Sequence, residues 1–109
     1  MATDGADTPG SRHDELTADA AFTERTLRAF IRDGRLVSVP AREKRRRVVY
    51  RYLGSAVLTE DREYEERELN MGLALFHPDV ATIRRGMVDA GLVTREGGRY
   101  RRPSGERGR

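Results

Sequence analysis

The sequence predicts a mainly α domain that closes on a small β-hairpin, and three observations carry that prediction. Asp79 begins a stretch in which Val80, Ile83, Met87 and Val88 recur at helical spacing, and Gly91 ends it. Leu92–Arg95 and Arg99–Arg102 are two strand-like runs joined by Gly97-Gly98, a pair suited to a tight primed turn. Upstream, three more segments carry apolar residues at helical period, broken by Gly34, Pro40 and His77-Pro78. A capped helix running straight into a basic hairpin is the second half of a winged helix-turn-helix, and that is the architecture expected here.

The chain has 109 residues, enough for one domain. That domain is expected over 18–102, between a disordered tail at 1–17 and a basic flexible tail at 103–109. A first helix is predicted near 19–33, with Phe22, Leu27, Phe30 and Ile31 on its apolar side and Gly34 as its stop. Arg35–Val39 is β-branched and closed by Pro40, which reads as an edge strand or extended segment. The longest helix is predicted over 41–56, with Val49, Tyr52, Leu53 and Ala56 on one face. Lys44, Arg47 and four further arginines cover the rest of it, either as a solvated face or as contacts to phosphate or to an acidic protein. A shorter helix is predicted over 65–76 through Leu69, Leu73 and Phe76, with Glu65, Glu66 and Glu68 in its first turn, where the helix dipole favours carboxylates.

The helix predicted over 79–90 carries the main site residues. Asp79 is its N-cap and Gly91 its left-handed terminator. Thr82, Arg85 and Asp89 fall opposite the apolar stripe and point outward, so Arg85 is the candidate for a groove contact. Arg84 falls at the edge of the stripe, and is expected to be partly buried and paired with an acid, Glu68 being the candidate. In the hairpin over 92–102, the two-residue loop pairs Arg95 with Tyr100 and puts Tyr100 on the same face as Val93, which turns Tyr100 toward the helices. Arg99, at the tip, is left without a structural task, and with Arg101 it is a candidate for nucleic-acid contact.

Charge is unevenly spread along the chain. Residues 25–56 hold ten bases against two acids, and residues 57–79 hold seven acids against two arginines. Residues 80–109 are basic again, with eight arginines against three acids. Catalysis finds little support: Cys is absent, His13 and His77 are the only histidines, and no serine has a neighbouring base. No metal site or cofactor is expected, because zinc would need more His or Cys than the chain has. No apolar run approaches the roughly 20 residues that span a bilayer. A cytoplasmic location without membrane contact is therefore expected.

The run Gly34-Arg-Leu-Val-Ser-Val-Pro-Ala41, then Tyr64, Glu68-Leu-Asn70, His77-Pro-Asp79, Thr82–Arg85, Met87–Asp89, Gly91-Leu-Val and Tyr100-Arg-Arg resembles the uncharacterised bacterial domain-of-unknown-function family 2087. The resemblance covers about Leu27 to Arg102. It implies a winged-helix-like fold, often appended to ArsR-type regulators, with no established activity and no known site. Glu65 stands where such sequences tend to have Thr or Ser, and Arg101 where an aromatic often follows the wing tyrosine. The chain also looks like the domain alone, with no room upstream for a separate helix-turn-helix. Two functions follow as expectations. One is a DNA-binding transcriptional regulator that uses 79–90 as its recognition helix, with double-stranded DNA as partner. The other is a protein-interaction or partner-sensing module without DNA binding of its own. The oligomeric state is left open, a homodimer being one option.

Overall fold

A computed structural model describes residues 11–103, with side chains from Asp19 onward. The expected mainly α fold with a small hairpin is what it shows. Helix α1 spans Ser11–Phe30 and a two-strand hairpin follows, β1 at Ile31–Arg32 and β2 at Arg35–Leu36. Helix α2 runs Glu43–Val57, strand β3 is Tyr64–Glu65, and helices α3 and α4 span Glu66–Ala74 and Val80–Asp89. Strands β4, Thr94–Glu96, and β5, Arg99–Arg101, complete the chain. Together β3, β5 and β4 form a three-stranded antiparallel sheet in that order.

The boundaries differ from expectation at the start. The predicted limit of the tail at residue 17 falls inside α1, and residues 1–10 lie outside those described. At its other end α1 stops at Phe30, not near Asp33, because Asp33 and Gly34 form the corner of a hairpin with φ of 53° and 75°. Two consecutive left-handed residues make the primed turn that a tight hairpin needs, and a helix cannot continue through them. The predicted strand 35–39 shrinks to Arg35–Leu36. Beyond it Val37 N–H donates to Phe30 O at 2.8 Å, while Leu36 N–H donates to Phe76 O at 2.9 Å. The short hairpin thus ties the end of α1 to the end of α3.

Glu65 is expected to begin the helix over 65–76, with Tyr64 just before it, but the two form strand β3 and the helix begins at Glu66. Tyr64 pairs with Tyr100 and Glu65 with Arg99 across β5. Such a partner lies far off in sequence, so no local pattern in the chain announces it. Asp79 caps α4 as expected, its carboxylate accepting from the Thr82 N–H at 3.3 Å. Gly91 follows with φ of 76°. The hairpin register also agrees, with Glu96 opposite Arg99 and Arg95 opposite Tyr100 around Gly97 and Gly98 at φ of 59° and 78°.

The core lies where α2, α3, α4 and the sheet meet. Leu53, Leu58, Leu69, Leu73, Ile83 and Met87 are fully buried in it. On α2 the buried tyrosine is Tyr50, whereas Tyr52, expected to face inward, is exposed at 36% and meets the edge of Phe76. The reason lies on α4. A Cβ at Gly86 would sit 2.5 Å from the Tyr50 hydroxyl, so the missing side chain on α4 makes the space that Tyr50 fills. Gly72 does the same for Val57 between α3 and α2.

Candidate nucleic-acid interface

Helix α4 presents two faces, as its period requires. Ile83 and Met87 are buried, while Thr82, Arg85 and Asp89 are exposed. Among the described residues Arg85 makes no hydrogen bond or ion pair, although its charge helps to hold the Asp79 carboxyl below the usual carboxylate range. The Thr82 hydroxyl and N–H are the larger causes of that lowering.

Arg84 turns inward, its side chain 20% exposed. Its partner is not Glu68. Its Nη1 donates to Asn70 Oδ1 at 2.6 Å, and its Nη2 lies 3.8 Å from Glu66 Oε2. Glu68 is taken elsewhere, because it folds back to accept from the Glu65 N–H at 2.9 Å and pairs with Arg62 at 3.0 Å. The Arg62 hydrogen bond and the Glu65 N–H hold the Glu68 carboxyl below its ordinary value. Glu66 in turn accepts from the Tyr100 hydroxyl at 2.8 Å. One linked set of polar side chains therefore joins α3, α4 and β5, and it sets the hairpin against the helix. Burial first, and then the bond to Glu66, push the Tyr100 hydroxyl pKa up.

Strand alternation sorts the hairpin arginines into two groups. Arg95 lies opposite Tyr100, on the side that faces α4, with its guanidinium 5.8 Å from the Tyr100 ring centroid. Arg95, Arg85, Asp89 and Tyr100 line a pocket of about 330 Å³ between α4 and the sheet. Arg95 was not among the expected contacts. The hairpin register that turns Tyr100 inward turns Arg95 the same way, so the signal was present in the sequence. Arg99 and Arg101 lie on the outer face. Arg99, expected to be free, is 3.7 Å from Glu63, and Arg101 is 3.3 Å from Asp61.

On α2 the two expected contact residues already have partners. Arg47 donates to Ala90 O at 2.8 Å and so caps the C-terminal end of α4, where a cation complements the helix dipole. The Lys44 ammonium lies 4.5 Å over the Phe22 ring. Among the described residues no cluster of His, Asp or Glu could hold a metal ion. No helix among them is long and apolar enough to cross a membrane.

The site is thus an open helical face beside a hairpin, carried by a small, mainly α domain. The chain belongs to the bacterial family described as "Uncharacterized protein conserved in bacteria (DUF2087)", whose model matches residues 35–102. No curated protein and no solved structure matches it.

Proposed function

We propose that this is a DNA-binding transcriptional regulator of winged-helix type that works in the cytoplasm without catalysis of its own. In this reading α4 enters the major groove and the β4–β5 hairpin lies beside it. The observation that carries it is the outward face of α4. Arg85 stands there unpaired among the described residues, and Arg95 joins it across one pocket. A guanidinium free to fork onto guanine O6 and N7 is the commonest base-reading group in a major groove. Thr82 and Asp89 flank it on the same face, within reach of neighbouring base edges or phosphates. The order of elements supports the same reading, because a helix, a strand, two helices and a two-strand hairpin is the layout of winged helix-turn-helix domains.

Three carboxylates at the start of α3, the cap residue Glu65 with Glu66 and Glu68 in the first turn, would oppose a phosphate there. Two of them are already compensated, Glu66 by Tyr100 and Arg84, Glu68 by Arg62. The repulsion left to a duplex is correspondingly small. Fluorescence anisotropy against mixed duplexes at low salt tests the reading, with binding expected tighter than about 100 μM, the weak end of non-specific affinity. Arg85→Ala should then cost about 1–3 kcal/mol on the preferred sequence and less on others. Absence of binding at that concentration sinks the proposal.

A second reading, a protein-interaction module, has its own observation. Met71 and Leu75 are 66% and 70% exposed beside Phe76, on a groove of about 420 Å³ between α2 and α3. Sedimentation of the protein alone, and with transcription proteins, would reveal such a partner where duplex binding fails.

A further inference from the structure

We infer that the cleft between α1 and the start of α2 is the surface that grips the phosphate strand, and that the outer face of the hairpin is closed to it. The inference rests on the duplex-binding reading above and assigns the backbone contacts that α4 alone does not supply. Arg42, Lys44 and Arg45 surround Phe22 in a cleft of about 690 Å³, and Arg25 joins Phe22 and Arg45 on the α1 side. All four cations are exposed, and among the described residues the one acid lining these two clefts is Glu43. Among the described residues the side chains of Arg25, Arg42 and Arg45 make no hydrogen bond or ion pair. Lys44 rests over the Phe22 ring, a contact that fixes its position and leaves its charge uncompensated.

The outer face of the hairpin has the opposite character. Arg99 looks free in the sequence, but it meets Glu63, and Arg101 beside it meets Asp61. Glu65 lies opposite Arg99 in the sheet, adding a third carboxylate to that side. Arg62, in the same connection, is held by Glu60 at 2.7 Å and by Glu68. These carboxylates already stand where phosphate oxygens would have to sit. A phosphate arriving there displaces one acid and is repelled by the next.

The cleft is also the natural continuation of α4. Glu43, Arg46 and Arg47 share a pocket with Asp89 and Ala90 at the end of α4, and Asp89 shares another with Arg85 and Arg95. A strand that passes Arg85 therefore runs on toward Arg42 and Arg45.

Two variants of the full chain separate the surfaces. Arg42→Gln with Arg45→Gln and Arg99→Gln with Arg101→Gln each remove two cations, so their effects on net charge are equal. Each is measured by salt elution from immobilised heparin and by duplex affinity over a salt series, after a thermal melt confirms folding. The first pair should elute from heparin at lower salt and flatten the plot of log affinity against log salt by about two units, one per lost contact. The second pair should flatten it by less than about one unit. A hairpin pair that matches or exceeds the first pair overturns the inference, as does a first pair unchanged on heparin. If the wild-type chain binds heparin and no duplex, and the first pair alone weakens heparin binding, the duplex reading falls and the anion-gripping cleft stands. Should the hairpin pair fail to fold, Asp61→Asn with Glu63→Gln frees the same arginines and should tighten duplex binding. No change in that variant counts against the closed face.

Discussion

Two glycines of one helical segment serve different physical ends, and single substitutions tell them apart. Gly91 has φ of 76° and nothing within 4 Å of where a Cβ would stand, so only its backbone demands glycine. Gly91→Val should cost about 1–2 kcal/mol through left-handed strain, read as a lower melting temperature. Gly86 is the reverse case. It sits within α4, where alanine would favour the helix by up to about 1 kcal/mol, yet the added Cβ would meet the Tyr50 ring and hydroxyl at 2.5–2.8 Å. Overpacking of this kind costs about 1–3 kcal/mol, so Gly86→Ala should destabilise despite its better propensity. The same Tyr50→Leu background should shrink the Gly86→Ala penalty and leave that of Gly91→Val unchanged. Gly91 was legible in the sequence, because a helix-to-strand switch marks it. Gly86 was not, because its reason sits on another helix.

At the scale of elements, local chemistry was readable and pairing across the chain was not. The Asp79 cap, the Gly97-Gly98 turn and the inward Tyr100 all follow from spacing within about twenty residues. What escaped were β3, which exists through Tyr100 and Arg99, and the true partners of Arg84 and Arg99. Helical phase gave the burial of Arg84 but could not say which acid of α3 turns toward it. The caps of α3 and α4 also carry a pH dependence. Glu68 and Asp79 both have carboxyl groups held below the ordinary range, by Arg62 and by Thr82 first of all. A lowered folded-state pKa contributes stability above the unfolded value, near 4, that is lost as pH falls through the folded value. The melting temperature should therefore drop on acidification below about pH 4. Glu68→Gln with Asp79→Asn keeps both capping roles, since Gln and Asn serve them without titrating. That double variant should flatten the acid limb of the curve, and an unaltered limb would place the acid sensitivity in other groups.

For the molecule as a whole, the family match and the packing do not coincide. The match begins at residue 35, yet α1 and β1 lie before it and pack on the matched part. Thr26 is buried, and Phe30 and Ile31 rest half-buried against the core. Leu36, 4% exposed, is held in the hairpin that β1 completes through Ile31. Cutting the chain to begin at Arg35 removes those contacts and uncovers part of Leu36. Half-burial of Phe30 and Ile31 contributes about 1 kcal/mol each, and the loss of cover over Leu36 adds a similar amount. The truncated domain should then be about 2–4 kcal/mol less stable, which for a domain of this size lowers the melting temperature by about 10 °C or more. Calorimetry of both chains decides it. An unchanged midpoint would make α1 an appendage that adds nothing to the domain, whereas the expected fall makes the folding unit extend upstream of the matched segment. The truncation also removes Phe22 and Arg25, so it tests whether the α1 wall of the cleft contributes to anion binding at temperatures where both chains are folded.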